Sequence, residues 1–395
     1  MTSKRFPWLT NNLIGFSIAS ICSDASHEMV PLILPTFLIV LSSPSQAPLY
    51  VGIVSSVSAF TLSIMAFFAG KLSDRSYNRK RLIELGYFVE GIFMGLLGFA
   101  THWLQVLGGT TVAGMGRGII GTTRNTTIAD STDPAYYGRA FGFRQAMDTI
   151  GSIIGPLIVY GLSGWPVRSL FFITLIPATL AFLAIVIFIT EVPRPQAPSS
   201  EVSPALPLPH EFKILLTALF LFALGNFSKT LLVLRTQELL SPLYGIPNAF
   251  SITILLYSFR NIIQAIATYS MGALSDNIGR EKLLAIGGFL CFGVVSILLL
   301  YHTASLLYLT VVFFLSGISA GTTTSLEKSL AADMLPQRTR GTGYGTLTLV
   351  QSIGALLASL VVGYLWTAIS LQAAFIYAAF LSISSGVLLL FFGGT

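Results

Sequence analysis

Gly70-Lys71-Leu72-Ser73-Asp74-Arg75 recurs 202 positions later as Gly272-Ala273-Leu274-Ser275-Asp276-Asn277. The echo continues at an offset of 203: Ala129-Asp130 with Ala332-Asp333, Gly138 with Gly341, Phe141-Gly142 with Tyr344-Gly345, and Ile150-Gly151 with Ile353-Gly354. One spacing, held from residue 70 to residue 151, divides the 395-residue chain into two similar halves. Each half is therefore expected to be the same kind of folding unit, with the same chain direction.

The solvent of those units follows from composition. Apolar residues make up 53% of the chain and charged residues only 10%, against roughly 25% charged in soluble domains. Polar groups this scarce do not cover a soluble surface, so a soluble enzyme, a nucleic-acid binder and a secreted disulfide scaffold are excluded. What remains is a polytopic membrane protein. A spanning helix takes about 20 apolar residues, and lipid leaves an unclosed backbone no hydrogen-bond partner except within a helix. Apolar runs near 11–41, 50–72, 81–101, 103–130, 138–161, 169–190, 214–239, 249–273, 283–302, 305–333, 342–366 and 372–392 predict twelve transmembrane helices, an all-α membrane protein. The acids of the first run, Asp24 and Glu28, argue against a cleaved signal. Cys22 and Cys291 both lie in apolar runs and read as buried thiols.

Positive charge sets the orientation. With the N-terminus inside, 14 of the 22 Lys and Arg residues fall in inner segments and only Arg168 in an outer one. An odd number of spans breaks this pattern, so both ends are expected to be cytoplasmic, in a membrane such as a bacterial inner membrane. The net charge of +6 reflects this bias, not a polyanionic partner. Residues 191–213 hold six of the 18 prolines and read as a cytoplasmic linker between an N-terminal bundle (1–190) and a C-terminal bundle (214–395).

Gly70 through Arg75, continued by Tyr77, Asn78, Arg79, Lys80 and Arg81, resembles the loop signature G-x-L-x-D-R-x-G-R-R/K of the major facilitator superfamily, whose members carry two six-helix bundles and bind substrate between them near the bilayer midplane. The resemblance implies that Asp74 latches one state and that a nearby arginine pairs with an acid ending span 4, here Asp130. This chain departs from the signature: Tyr77 stands for the glycine and Asn78 for the first arginine, which leaves Arg79 as the substitute. The second copy, Gly272 through Asp276 to Arg280, has Asp333 as its acid. In span 5, Gly142, Gly151, Gly155 and Pro156 resemble the signature of drug/proton antiporters, although its closing glycine pair is replaced around Val159 and Tyr160. The resemblance implies export; the residues alone equally suit small-residue helix packing, with Pro156 bending the helix. A finer resemblance, to a little-characterised group of bacterial permeases in this superfamily, rests on Ser23 to Pro35, Gly116 to Ser131, Gly138 to Thr149 and Ala223 to Arg235. Lys229 stands where that group leads one to expect an acid.

A charged side chain at the bilayer centre costs roughly 2.5–3.5 kcal/mol, so those within spans must pair or face water. Asp24 and Glu28 share one face of span 1, where mutual repulsion favours their sharing a proton; His27 either relays it or packs as a neutral ring. Arg144 and Asp148, four apart, form an intrahelical ion pair or serve substrate or proton. Arg124 and Glu327 occupy symmetric inner positions with opposite charge, suited to closing the inner mouth. Glu90 reads as structural. In the superfamily, spans 1, 4, 7 and 10 line the cavity. Here they hold Arg117, Arg124, Lys229, Arg235 and Lys328 against Asp24, Glu28 and Glu327, an excess that favours anionic or zwitterionic organic molecules. The expected activity is proton-driven export by alternating access from a monomer. Asp24, Glu28 and Asp148 would carry protons. Arg117, Arg124, Arg144, Lys229, Arg235, Arg260, Glu327 and Lys328 would meet the substrate. No metal, cofactor or enzyme motif is expected. A symporter importing an organic anion is the first rival; a receptor, a lipid-modifying enzyme or a passive channel follows.

Overall fold

The computed structural model describes residues 9–75, 78–133, 136–191, 209–335 and 340–392. Most of the expected linker, residues 192–208, lies outside the described residues, as do the side chains of Asp74, Arg75, Asp276 and Lys328. The described chain is helical throughout: α1 (Asn11–Leu41), α2 (Ala47–Arg75), α3 (Arg79–Leu96), α4 (Trp103–Asp130), α5 (Tyr137–Gly161), α6 (Val167–Phe188), α7 (His210–Gly225), α8 (Lys229–Ile278), α9 (Arg280–Leu283), α10 (Cys291–Leu298), α11 (Leu306–Met334), α12 (Arg340–Ala368) and α13 (Leu371–Phe392). A π-helical stretch, Leu284–Leu290, joins α9 to α10 into one span.

Among the described residues, nine helical stretches are long and apolar enough to cross a bilayer. One of them, His210–Ser275, is 66 residues long, enough for two crossings at 1.5 Å per residue. The turn between those crossings is at Gly245, whose φ of 74° and ψ of 160° break α8 internally. Only glycine takes that conformation without strain. The helices α4 and α5 have the length of spans, 28 and 25 residues, and carry Arg117, Arg124, Arg144 and Asp148 within them. Those same residues build the site described below.

Two boundaries differ from the sequence reading. The helix α7 starts at His210, inside the stretch read as linker, because Pro209 supplies a preset φ just ahead of it. Span 7, expected to be continuous over 214–239, is interrupted after Gly225: Asn226 (φ −81°, ψ 81°) ends α7 and Ser228 starts α8, its side chain accepting the Thr230 N–H at 3.2 Å. Serine and asparagine are good caps, and the apolar run around them hid the signal.

The chain divides into two units. The first comprises the described residues of Met1–Leu41 and Val57–Glu201, the second those of Ser42–Ser56 and Val202–Thr395. In the first, α1 lies against α5 and α6, and α3 against α4 and α6. In the second, α7 lies against α12 and α13, and α8 against α11. The outer face of α6 shows the logic of a lipid solvent. Ile176, Leu180, Leu183 and Ile187 are exposed, while Ala178, Ala181 and Ala184 are buried against neighbours. Bulky side chains meet lipid, and small ones let helices approach.

Glycine sets the closest approaches. A Cβ on Gly151 would lie 2.5 Å from the Ile21 carbonyl oxygen, and one on Gly155 would collide with that of Ala25, so α5 seats directly on α1. Gly354 closes in the same way on Ala223 of α7 in the second unit, as the repeat predicts. Gly142 has open space around it, so it takes no part in this contact, contrary to its place in the span-5 motif. Pro156 lies inside α5, one residue past the Gly155 contact. Gly155→Ala should therefore destabilise the protein by about 1–3 kcal/mol, whereas Gly161→Ala, with nothing within 4 Å, should not. Thermal unfolding of the two variants in detergent checks this; equal melting temperatures would contradict it.

Candidate functional site

The first unit holds a buried ionic cluster drawn from three helices, α1, α3 and α4. Its centre is Arg117 on α4. One guanidinium nitrogen, Nη2, is paired with Asp24 of α1. The other, Nη1, donates to Glu90 Oε1 of α3 at 2.8 Å and approaches Ser23 Oγ at 3.4 Å. Ser23 in turn donates to Glu90 Oε2 at 3.3 Å. His27 Nδ1 lies 3.5 Å from Glu90 Oε1. Asp24 and Glu90 are 8% and 5% exposed, so neither carboxylate is solvated by bulk water and both depend on the shared cation.

Local packing explains why these groups meet. A Cβ on Gly116 would sit 2.7 Å from the Glu90 backbone N, and one on Gly86 would be 3.0 Å from the Gly116 carbonyl oxygen. The absence of side chains there lets α3 and α4 touch at the turn that carries Arg117 and Glu90. On the opposite side, a Cβ on Gly151 would lie 3.0 Å from the Asp24 Cβ, so only glycine lets α5 sit this close.

A second layer lies on α1, α4 and α5. Arg144 Nη1 donates to Asp148 Oδ2 at 2.6 Å, the expected intrahelical pair. Arg124 Nη1 lies 3.7 Å from the other oxygen of Asp148 and donates to Ser20 Oγ at 2.9 Å. Asp148 thus sits between two arginines. Glu28 is half-buried one turn beyond Asp24 on α1. The carboxylate that joins Asp24 across the Arg117 guanidinium is Glu90, which the sequence reading took as structural. Its signal was an acid in the apolar part of the helix beside Gly91, visible but without an identified partner.

The gate-like motif is present twice. Arg79 pairs with Asp130 in the first unit, and Arg280 Nη1 reaches Asp333 Oδ2 at 2.5 Å in the second. Arg79 therefore does replace the arginine missing at 78. Asn78 takes another task, capping α3 by accepting the Arg81 N–H at 3.2 Å. Glu191 accepts the N–H groups of Arg79 and Lys80 at 3.1 and 2.9 Å, placing a carboxylate at the positive end of α3; no local pattern announces this contact.

In the second unit the expected substrate residues separate. Arg235 is 3% exposed. Its guanidinium is committed to the carbonyls of Leu299 and Tyr301 at 3.3 and 3.4 Å, to His302 Nδ1 at 3.3 Å, and to Glu238 at 3.7 Å. These contacts tie span 7 to the loop after α10, a bracing position. Glu327 accepts from Gln351 Nε2 at 2.5 Å within its own unit, as Arg124 finds Asp148 within its own. Lys229 and Arg260 share a cavity of 250 Å³ at the break in span 7, with Ser316, Phe227 and Phe292 on its walls. Among the described residues, no group of three His, Cys, Asp or Glu side chains converges to hold a metal ion.

Comparison with known proteins agrees with this architecture. The sequence profile of the Major Facilitator Superfamily matches residues 16–259 and 239–394. An uncharacterised MFS-type transporter of Methanocaldococcus jannaschii is 33% identical over 386 residues, covering 97% of this chain and 95% of the relative. The multidrug resistance protein MdtG of Escherichia coli is 25% identical over 319 residues, 78% of this chain and 76% of that one. A crystal structure of a mutant form of the nucleoside transporter NupG superimposes with a TM-score of 0.79 at 13% identity, over 96% of this chain and 99% of that one. A chain of apolar helices in two repeated halves, matched by this profile along nearly its whole length, belongs to the major facilitator superfamily of membrane transporters.

Proposed function

We propose that this transporter exports a small anionic or zwitterionic organic molecule in exchange for protons, by alternating access, with both ends of the chain in the cytoplasm. The observation that carries the reading is the Arg117 cluster. It holds two carboxylates, one guanidinium and one imidazole. With His27 neutral the cluster itself has one more negative than positive charge, and the adjoining layer, Asp148 of α5 between Arg124 and Arg144, has one more positive. In a low-dielectric interior uncompensated charge is costly, so this balance of two layers is upset when an anionic solute occupies the arginines or a proton occupies a carboxylate, which gives proton and solute a means of influencing each other. The relationship to MdtG, a multidrug resistance protein, supports outward transport. The positive-inside pattern supports the orientation.

The proton assignment moves from the Asp24–Glu28 pair towards Asp24, Glu90 and His27, with Glu28 one turn away. In proteoliposomes carrying a panel of small organic acids, an imposed pH gradient should drive net solute movement by the wild-type protein. Asp24→Asn or Glu90→Gln should reduce gradient-driven movement by about tenfold or more while sparing exchange without a gradient. Undiminished gradient-driven flux in both variants rejects the assignment. Solute movement in the same direction as the proton, instead of against it, identifies the symporter.

The same cluster makes a stability prediction. Arg117→Gln leaves two buried acids without their shared cation, a change that costs about 3–5 kcal/mol. Adding Asp24→Asn and Glu90→Gln to that variant should restore most of the loss. Thermal unfolding of the single and triple variants measures it; a triple variant less stable than the single one would show that the carboxylates do not depend on Arg117.

A further inference from the structure

The Glu90 carboxylate has acceptor capacity beyond what its side-chain partners use. An ionised carboxylate offers about four lone-pair positions. Oε1 accepts Arg117 Nη1 at 2.8 Å and has His27 Nδ1 at 3.5 Å. Oε2 accepts the Ser23 hydroxyl at 3.3 Å, longer than the roughly 2.5–3.0 Å of an ordinary O–H···O bond. Beside this carboxylate lies a cavity of about 10 Å³ between α1, α3 and α6. Ser23, Ser26, Tyr87 and Glu90 give it polar walls, and all four are at most 5% exposed. Gly91, Ala178 and Ala181 give it a small apolar one. A Cβ on Gly91 would lie 2.8 Å from that of Ala178, so α3 and α6 leave the chamber narrow. A space of this size takes about one water molecule.

Tyr87 leads to the same place by a separate observation. Its hydroxyl is buried and makes no hydrogen bond of normal geometry, whereas a buried tyrosine hydroxyl ordinarily has a partner. It lies within the fields of Arg124, Glu90 and Asp24. Arg124 carries donors only, so it can serve the Tyr87 oxygen but never accept its proton. That proton needs an acceptor. Ser26 donates its own proton to the Thr174 carbonyl at 3.0 Å, which leaves the Ser26 oxygen able to accept. The cavity therefore meets one donor in want of an acceptor, Tyr87, and two acceptors with capacity left, Glu90 and Ser26.

We propose that this cavity binds one water molecule, which accepts from the Tyr87 hydroxyl and donates to Glu90 and Ser26. About three hydrogen bonds is the usual complement of a buried water, and cavities with polar walls are wet where purely apolar ones stay dry. The water makes Tyr87 a positioning residue: the hydroxyl acts through it on one side of the Glu90 carboxylate, while Arg117 holds the other. It also connects the two ionic layers, from Arg124 by way of Tyr87 and the water to Glu90. That connection is a hydrogen-bonded route along which a proton in the Arg117 cluster communicates with the Arg124–Asp148 layer. Only this last consequence rests on the transport reading above; the site itself rests on the cavity and its hydroxyl groups.

The test is a structure of the full-length protein in lipid, at a resolution that shows ordered water, for the wild type, Tyr87→Phe and Ser26→Ala. The wild type should show one water within about 3.2 Å of the Tyr87 hydroxyl oxygen, Glu90 Oε2 and Ser26 Oγ. Tyr87→Phe keeps the ring and removes only the hydroxyl, and the water should be lost or displaced; Ser26→Ala, at the other end of the cavity's hydrogen bonds, should displace it as well. No water there in the wild type, or a water unmoved in both variants, overturns the proposal. The positioning role has its own readout, the infrared carboxylate band that disappears in Glu90→Gln. This band should shift in Tyr87→Phe; a band unchanged from the wild type means that Tyr87 only packs, and overturns that role. Neither measurement imposes a pH gradient. A bound water without gradient-driven flux sinks the exporter reading alone, and gradient-driven flux without the water sinks this site alone.

Discussion

A single guanidinium shared by two buried carboxylates is the interaction on which the first unit depends. Arg117 reaches Asp24 on α1 and Glu90 on α3, so three helices meet at one cation. In lipid there is no hydrophobic drive to hold helices together, and association relies on close packing and polar contacts. The chain supplies both at the same level. Gly116 and Gly86 bring α3 against α4, and Gly151 brings α5 against α1. The glycines permit the distances, and the charges make those distances favourable. Removing either element leaves the other without its function: an arginine out of reach of its acids, or a close contact that holds nothing.

The two units solve the problem of intramembrane charge in different ways. The first compensates its arginines internally, through Asp24, Glu90 and Asp148. The second places Arg235 among carbonyls, His302 and Glu238 as a brace, and gathers Lys229 and Arg260 at an interrupted helix. The repeat in sequence preserved the scaffold, as the matching Gly151 and Gly354 contacts and the paired Arg79–Asp130 and Arg280–Asp333 bridges show. It did not preserve the chemistry.

Much of this was legible in the sequence. Apolar run lengths located the helices because the bilayer imposes their length. The offset of 202 and 203 predicted the shared packing. Local pairs such as Arg144–Asp148 were visible because helical spacing alone brings them together. Partners from distant helices were not. Nothing near Glu90 announces Arg117, and nothing near Arg79 announces Glu191, since both contacts are created by tertiary packing. The break in span 7 was hidden for another reason: Asn226 and Ser228 are ordinary caps, but the apolar residues around them satisfy a hydropathy reading whether the helix continues or stops. Gly142 erred in the other direction, a motif residue without the close contact that its neighbours Gly151 and Gly155 make.

The central claim is that the Asp24–Arg117–Glu90 cluster gains and loses one proton within the folded protein. Infrared difference spectroscopy of the full-length protein in lipid, stepped through the physiological pH range, observes buried carboxyl groups directly and needs no substrate. The account predicts a titrating carboxyl signal in the wild type that disappears in Asp24→Asn or Glu90→Gln. A wild-type spectrum without any titrating buried carboxyl, or one whose titration is the same in both variants, would contradict it.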